Sequence, residues 1–569
     1  MRLITTGILA ALVMGLTPAL PAKADGIAGA YLAGRAASFQ SDYENAAQYY
    51  AQALIADPSN PRILENATSA FVNLGRMPQA HTIAQKMQMS GMESQIAHLV
   101  ITAEQFQQGE FDQLLDDIAA GRKIGPLVDG LASAWAELGR GRMTEALARF
   151  DSLSEQNGLK GFALYHKALA LAMVGDFEGA DALMSGEEQG PLRQTRRGAM
   201  AHIEILSQLD RNDDALQLLD LLFSNDTDPG IGDIRERLVA GEMLPFTHVT
   251  KASEGAAEMF FSVAGVLSSD AAPGYTLLYS RLAEYLREDH VDAILLSAAM
   301  LEDLERYELA TQSYKRVPRD HPAFHAAELG RADTLRRAGK EDAAIEVLEQ
   351  LAETHGDLPA VHTAMGDLKR GLQRFDEAIP AYDRAIALTD EDDAQWFVHY
   401  ARGISYERSG DWDSAEADFR RALELRPNQP LVLNYLGYSL VEKKIKLDEA
   451  LAMIETAAAE RPDSGFIIDS LGWVLYRLGR YDEAVGHMER AAELMPVDPV
   501  VNDHLGDVYW AVGRETEAQF QWKRALSFID PEDTDGEADP ERIRRKLDVG
   551  LDVVLEEEGA PPLQVANDG

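Results

Sequence analysis

The stretch from Asp469 to Pro499, D-S-L-G-W-V-L-Y-R-L-G-R-Y-D-E-A-V-G-H-M-E-R-A-A-E-L-M-P-V-D-P, decides the fold. Its fixed points are Leu471, Gly472, Leu475, Gly479, Tyr481, Ala484, Ala491 and Pro496. A similar set, Gly506, Tyr509, Gly513, Ala518, Ala525 and Pro531, returns about 34 residues later, a period that marks a solenoid of helix-turn-helix units. The spacing predicts a first helix over 465–478 and a second over 481–494. Gly472 and Ala484 are small because two helices approach closely only where no large side chain separates them. Gly479 supplies a left-handed turn, Tyr481 plugs it, and Pro496 and Pro499 end the second helix. Ala484 and Ala491, two turns apart, share one face.

These residues resemble the tetratricopeptide repeat (TPR) pattern, and the chain is identified as similar to exported TPR proteins of the Gram-negative type. The resemblance implies an all-α fold, a TPR alpha-solenoid in which helix-turn-helix repeats form a right-handed superhelix and the first helices line a concave groove.

Outward from that stretch the period persists. The first repeat is visible at Tyr31 to Pro58, and its small-residue position (Gly34) recurs at Thr68, Thr102, Ala134, Ala168 and Ile203. An N-terminal degenerate array over 25–223 follows. The period breaks over 224–254, a stretch rich in turn formers, which reads as an irregular joint or one eroded repeat. It returns at Ala264, Ala298, Ala332, Gly366, Gly403, Gly437, Gly472 and Gly506, a C-terminal array over 255–529, for 14 repeat-like units in all. A charged linker at 530–540 leads to Ile543, Leu547, Leu551 and Val554 at helical spacing, read as a capping helix over 541–558 that covers the last apolar face. Residues 559–569 read as a disordered tail.

In the resembled family the groove side chains sit three and six residues before the small position of the first helix and one, four and five after it. Carried over, the Gly403 unit offers Phe397, Tyr400, Ile404, Glu407 and Arg408, and the Gly437 unit Leu431, Asn434, Tyr438, Val441 and Glu442. The Gly472 unit offers Phe466, Asp469, Trp473, Tyr476 and Arg477, and the Gly506 unit Val500, Asp503, Asp507, Trp510 and Ala511. Aromatics interleaved with carboxylates and Asn suit an extended peptide with apolar and basic side chains. Five of the six Trp lie beyond residue 395, which points the binding expectation to this end. Tyr476 and Trp510 would serve equally as packing between repeats. The Lys, Arg and Asn clamp of chaperone-tail-binding TPRs is not matched, since Asp469, Trp473, Asp503 and Asp507 stand there.

Composition narrows the function. Lys and Arg number 53 against 94 Asp and Glu, a net charge of -41, which repels nucleic acid and anionic lipid and keeps the chain soluble. Cysteine is absent, so disulfides, thiolate metal sites and thiol catalysis are excluded. No phosphate loop, nucleophile elbow or zinc helix motif occurs. His321 and His325 lack a third ligand, and the acidic run Asp226, Asp228, Asp233 has Ile231 and Arg237 where a calcium loop needs Gly and Glu. No metal, cofactor or enzymatic activity is expected.

Residues 1–24 carry Arg2, an apolar run from Leu3 to Leu16, and an Ala-x-Ala ending, which read as a secretory signal peptide cleaved after Ala24. The expectation is a periplasmic or secreted chain starting at Asp25, a non-enzymatic scaffold or adaptor of the cell envelope that binds a protein or peptide segment, basic or aromatic-rich, in the concave groove. The alternative is an accessory protein of envelope polysaccharide synthesis or export, whose aromatic groove contacts glycan or a synthase.

Overall fold

A computed structural model describes residues 27–186, 195–223, 228–390, 395–530, 538–560 and 563. Among the described residues there are 31 helices and no strand. The expected signal peptide, most of the charged linker and nearly all of the tail lie outside the described residues. The chain divides into two compact units, Met1–Val347 and Leu348–Gly569.

The first unit opens with six helical hairpins. They are α1 (Ile27–Phe39) with α2 (Tyr43–Ala56), α3 (Pro61–Asn73) with α4 (Met77–Met89), and α5 (Gln95–Gln108) with α6 (Phe111–Ala119). Next come α7 (Pro126–Gly139) with α8 (Met143–Ser154), α9 (Lys160–Met173) with α10 (Phe177–Met184), and α11 (Arg196–Gln208) with α12 (Asn212–Phe223). A lone α13 (Pro229–Val239) and a coil precede α14 (Ala252–Asp270) and α15 (Pro273–Leu286). The hairpins α16 (Val291–Asp303) with α17 (Tyr307–Tyr314) and α18 (Phe324–Arg337) with α19 (Glu341–His355) follow, and the unit boundary falls inside α19. The break in sequence period at 224–254 therefore lies within the first unit and does not divide the compact units.

What the first unit does with its inner face is absent from the repeat pattern. Helices α14 and α15 pack against α3, α5, α7 and α9, the first helices of successive hairpins. From Ala252 to Phe260 α14 is buried almost all round, which requires small residues where it meets bulky ones. Gly255 is the clearest case: a methyl group there would lie 2.3 Å from the buried Trp135 ring. Trp135 in turn packs edge-on to Phe150 and donates its indole N–H to His166 Nδ1 at 3.2 Å. Polar ties fix the same helices. Arg197 on α11 donates from Nε to Glu258 on α14 at 2.8 Å and from Nη1 to Asp292 on α16 at 2.6 Å. Tyr285 donates to Glu104 at 2.6 Å, and Asn73 donates to the Gly274 carbonyl at 3.3 Å. Burial would raise the Glu258 carboxyl, but Arg197 and His290 hold it well below the usual carboxylate range. The inner face of these hairpins is filled by the chain itself.

The second unit is a regular stack. Its hairpins are α20 (Pro359–Gly371) with α21 (Phe375–Ala387), α22 (Trp396–Arg408) with α23 (Trp412–Leu425), and α24 (Pro430–Glu442) with α25 (Leu447–Glu460). They continue with α26 (Gly465–Arg477) and α27 (Tyr481–Leu494), then α28 (Pro499–Ala511) and α29 (Glu515–Phe528). The expected helix pair of the deciding stretch is therefore present within one residue at each end. A methyl group at Gly472 would lie 2.3 Å from Met488 Sδ, and one at Gly506 would lie 2.4 Å from the Trp522 ring. The partner in each case stands four residues after the small Ala484 or Ala518, one turn further along the second helix. Gly479 has φ of 77°, the left-handed turn expected of it.

The stack ends with α30 (Pro540–Val549) and α31 (Leu551–Glu557), where the sequence suggests one continuous helix over 541–558. Gly550, with φ of 86°, breaks it, and the break seats α31 so that Leu551 and Val554 are buried with Ile543.

Candidate functional site

The first helices of the second unit present one face, and the sequence-expected groove residues divide on it into an open set and a buried set. The open set surrounds a groove of about 390 Å³ lined from α22, α24, α26 and α28. Arg408, Asn434, Tyr438, Phe466 and Asp469 line it, with Glu407, Glu442 and Val500. Phe397 lies just outside this lining and is exposed at the start of α22, edge-on to Trp396 with centroids 6.4 Å apart. Tyr400 is half-buried beside Phe419 and Tyr435, and burial pushes its hydroxyl up to about 12. Asn434 Oδ1 is buried and has no hydrogen-bond partner among the described residues. Arg408 Nε lies 3.6 Å from Glu407.

The buried set joins neighbouring repeats. Trp473 lies flat between Tyr476 and His504, with centroids 4.8 and 3.9 Å away, and donates its N–H to Glu442 at 2.8 Å. The Arg477 guanidinium sits 5.9 Å from the Trp473 centroid. Asp469 accepts from His504 Nδ1 at 3.0 Å, so it belongs to both sets, its carboxylate at the groove edge and held from behind. Burial alone would lower the His504 imidazole, but Asp469 outweighs it and raises the ring above its ordinary value. Burial also holds the Tyr476 hydroxyl well above its usual range.

One repeat further, Lys546 on α30 takes the place that His504 takes on α28. Its ammonium is buried and donates to both Asp503 oxygens at 2.8 Å and to Asp507 at 2.6 Å. Asp507 also accepts from Trp522 Nε1 at 2.9 Å, and Trp510 donates to Asp552 at 3.0 Å. Trp473, Tyr476, Asp503 and Asp507 are thus buried in the stack, and Trp510 is half-buried against the C-terminal helices. The cause is the side chain that follows: His504 reaches Asp469 and Trp473, and Lys546 reaches Asp503 and Asp507, whereas the same two positions on α24, Asn434 and Tyr438, line the groove.

Five lining residues, Tyr435, Ser439, Lys443, Ser470 and Val501, escaped the sequence reading because each stands one residue beyond a family position on or at the end of α24, α26 and α28. Met495 and Asp498 escaped it because they lie in a turn between hairpins, where no helical register applies. The other features weighed in the sequence carry no site. His321 Nδ1 accepts from the Ala323 amide at 3.1 Å, and His325 Nδ1 lies 2.9 Å from the Pro322 carbonyl, so each closes its own turn. Asp226 lies outside the described residues, and Asp228 caps α13. Among the described residues no group of three His, Cys, Asp or Glu is placed to hold a metal ion, and no helix is long and apolar enough to cross a membrane.

Family models described as tetratricopeptide repeat match residues 31–87, 357–428, 400–465 and 467–496. The chain carries tetratricopeptide repeats. Over 158 residues it is 27% identical to the TPR repeat-containing protein PA4667 of Pseudomonas aeruginosa, a match covering 28% of this chain and 26% of that one. Over 171 residues it is 27% identical to tetratricopeptide repeat protein 13 of Homo sapiens, covering 29% of this chain and 19% of that one. The chain thus matches about a quarter or less of the length of these relatives. Among solved structures, it is similar to the Cut9–Hcn1 hetero-tetramer of APC/C (15% identity, 93% of this chain and 97% of that one, TM-score 0.38). It is also similar to yeast Tom70 (13% identity, 94% and 96% coverage, TM-score 0.35). Tetratricopeptide repeats generally serve as non-catalytic surfaces for protein interaction, and nothing in the site points to catalysis.

Proposed function

We propose that the protein is a non-enzymatic interaction scaffold of the cell envelope that binds a peptide segment of a partner protein in the groove of its second unit. The observation that carries this reading is the contrast between two inner faces. That of the first unit is filled by α14 and α15, whereas that of the second keeps a groove of about 390 Å³. Phe466 stands half-exposed beside it, with polar side chains around the rim. Half-exposed aromatics ringed by polar groups have the composition of binding hot spots. The envelope location rests on residues 1–24 read as a cleaved leader, and it is tested by whether the exported chain begins at Asp25.

A photo-crosslinking residue placed at Leu431 or Tyr438 in the full-length chain, activated in intact cells, tests the groove. Capture of one discrete protein from these positions, and not from the exposed Phe520 on α29, is the expected result. Equal capture from Phe520, or none from the groove, contradicts the reading.

A further inference from the structure

One position recurs on the first helices that flank the groove, and its recurrence specifies what fits there. The position six residues before the small one is Ala360 on α20, then Phe397, Leu431, Phe466 and Val500 on α22, α24, α26 and α28. Phe397, Leu431 and Phe466 are 36%, 38% and 47% exposed, which is high for residues of the inner helices, and Val500 is half-buried. The inner helices touch in order: Tyr400 meets Tyr435 at 5.8 Å between centroids, α24 packs on α26, and α26 packs on α28. One apolar side chain per helix therefore forms a row, stepped by the distance between packed helices, about 8–10 Å. Three residues of a polyproline-II chain cover about 9.3 Å and return the side chain to the same face, whereas the same-face step of a β-strand is two residues and only about 6.6 Å.

Two further observations choose among occupants. Asn434 Oδ1 is a buried acceptor without a partner, and an extended backbone has free N–H groups to give it, whereas the interior of a helix has none. The lining carries Glu407, Glu442, Asp469 and Asp498 against Arg408 and Lys443, and the Lys443 ammonium is turned onto the Trp412 ring, 4.8 Å from its centroid. Glu442, Asp469 and Asp498 each accept from a neighbouring donor, Trp473, His504 and the α28 amides, and the lining as a whole keeps an acidic excess.

Resting on the reading of this groove as the partner site, we propose that the second unit recognises a segment in the polyproline-II conformation with an apolar side chain at every third residue and lysine or arginine between them. The apolar side chains engage the row from Phe397 to Val500, and the cationic ones meet the carboxylates of α22, α24 and α26. The filled inner face of the first unit offers no such row.

The test uses the full-length protein and three fluorescein-labelled decapeptides of identical composition, with four leucines, three lysines and three serines. One has leucine at every third position, one alternates leucine, and one spaces it for a helix. Fluorescence anisotropy is expected to show the first binding at least about tenfold more tightly than the others, and Phe466→Ala to weaken it by about tenfold. The thermal midpoint of the variant should stay unchanged because Phe466 is half-exposed, and added salt should weaken binding by removing the lysine contribution. Equal binding of the three peptides, no effect of Phe466→Ala, or no binding at all overturns the proposal. If no peptide binds while groove photo-crosslinks to the natural partner persist, this inference fails and the groove reading stands. If those crosslinks are absent as well, both fail.

Discussion

The seat of Lys546 allows a quantitative test of how the second unit ends. Lys546→Ala removes a buried ammonium that donates to Asp503 and Asp507 and leaves two carboxylates out of water, with Arg542, 3.5 Å from Asp507, offsetting only part of their charge. Burial already pushes Asp503 up, with Asp507 adding to the rise and Lys546 opposing it. Breaking a buried ion pair by removing one partner costs about 3–5 kcal/mol because it leaves an uncompensated buried charge, and replacing all members by uncharged residues of similar volume removes that penalty. The triple change Lys546→Met with Asp503→Asn and Asp507→Asn should therefore recover most of what Lys546→Ala loses. A stack of repeats opens locally, so the assay is hydrogen exchange of amides in α28, α29 and α30. Lys546→Ala is expected to speed exchange there by about two to three orders of magnitude, with α20 and α21 little changed. Unchanged protection in α28, or a triple variant as weak as the single one, would refute the view that α30 seals the stack through this contact.

The close approach of Gly472 to Met488 means that Gly472→Ala overpacks the hairpin and costs about 1–3 kcal/mol, as does Ala484→Leu, which an unchanged urea transition of the second unit would contradict. In the first unit Gly255→Leu should push α14 off Trp135 and expose the inner face; loss of hydrogen-exchange protection in α14 and α15 is expected, and native protection there would refute the fit. Because Asp469 raises His504 above the ordinary value of 6.5, the stabilisation is fully present below pH 6.5 and is lost as pH rises through the folded value. Urea midpoints of the second unit should fall over that window, and Asp469→Asn should flatten the fall; a wild-type midpoint that rises or stays level contradicts the assignment. His166 is the opposite case: burial lowers it to about 4, so the stability of the first unit should decline as pH falls from 6.5 towards 4, and His166→Gln should remove part of that slope.

The repeat hairpins were legible because their constraints are local. Gly472 against Met488, the Gly479 turn and the prolines act over distances shorter than one repeat, and each leaves a residue type at a fixed spacing. The filling of the first unit was not legible in the same way. Gly255 and Trp135 are far apart in sequence, and Gly255 reads there only as one of several small residues in an apolar helix. The candidate groove lies between these extremes. The family positions locate Asn434, Tyr438 and Phe466 on it, but they do not say which of their number the next helix covers. Trp473, Asp503 and Asp507 are removed from it by His504 and Lys546, whose partners are 31 or more residues away. Where α31 starts was set by a single Gly550, which a periodic apolar pattern running through it conceals.

The most direct test of the groove as the partner site is capture from a row of positions along it. Photo-crosslinking residues at Phe397, Leu431 and Phe466 in the full-length chain should capture the same partner from all three. The crosslinked sites on that partner should fall in one short segment, about three residues apart from one position to the next. Three unrelated captures, or crosslinks from the exposed Phe520 on α29 at the same yield, would contradict a single segment lying along the inner face.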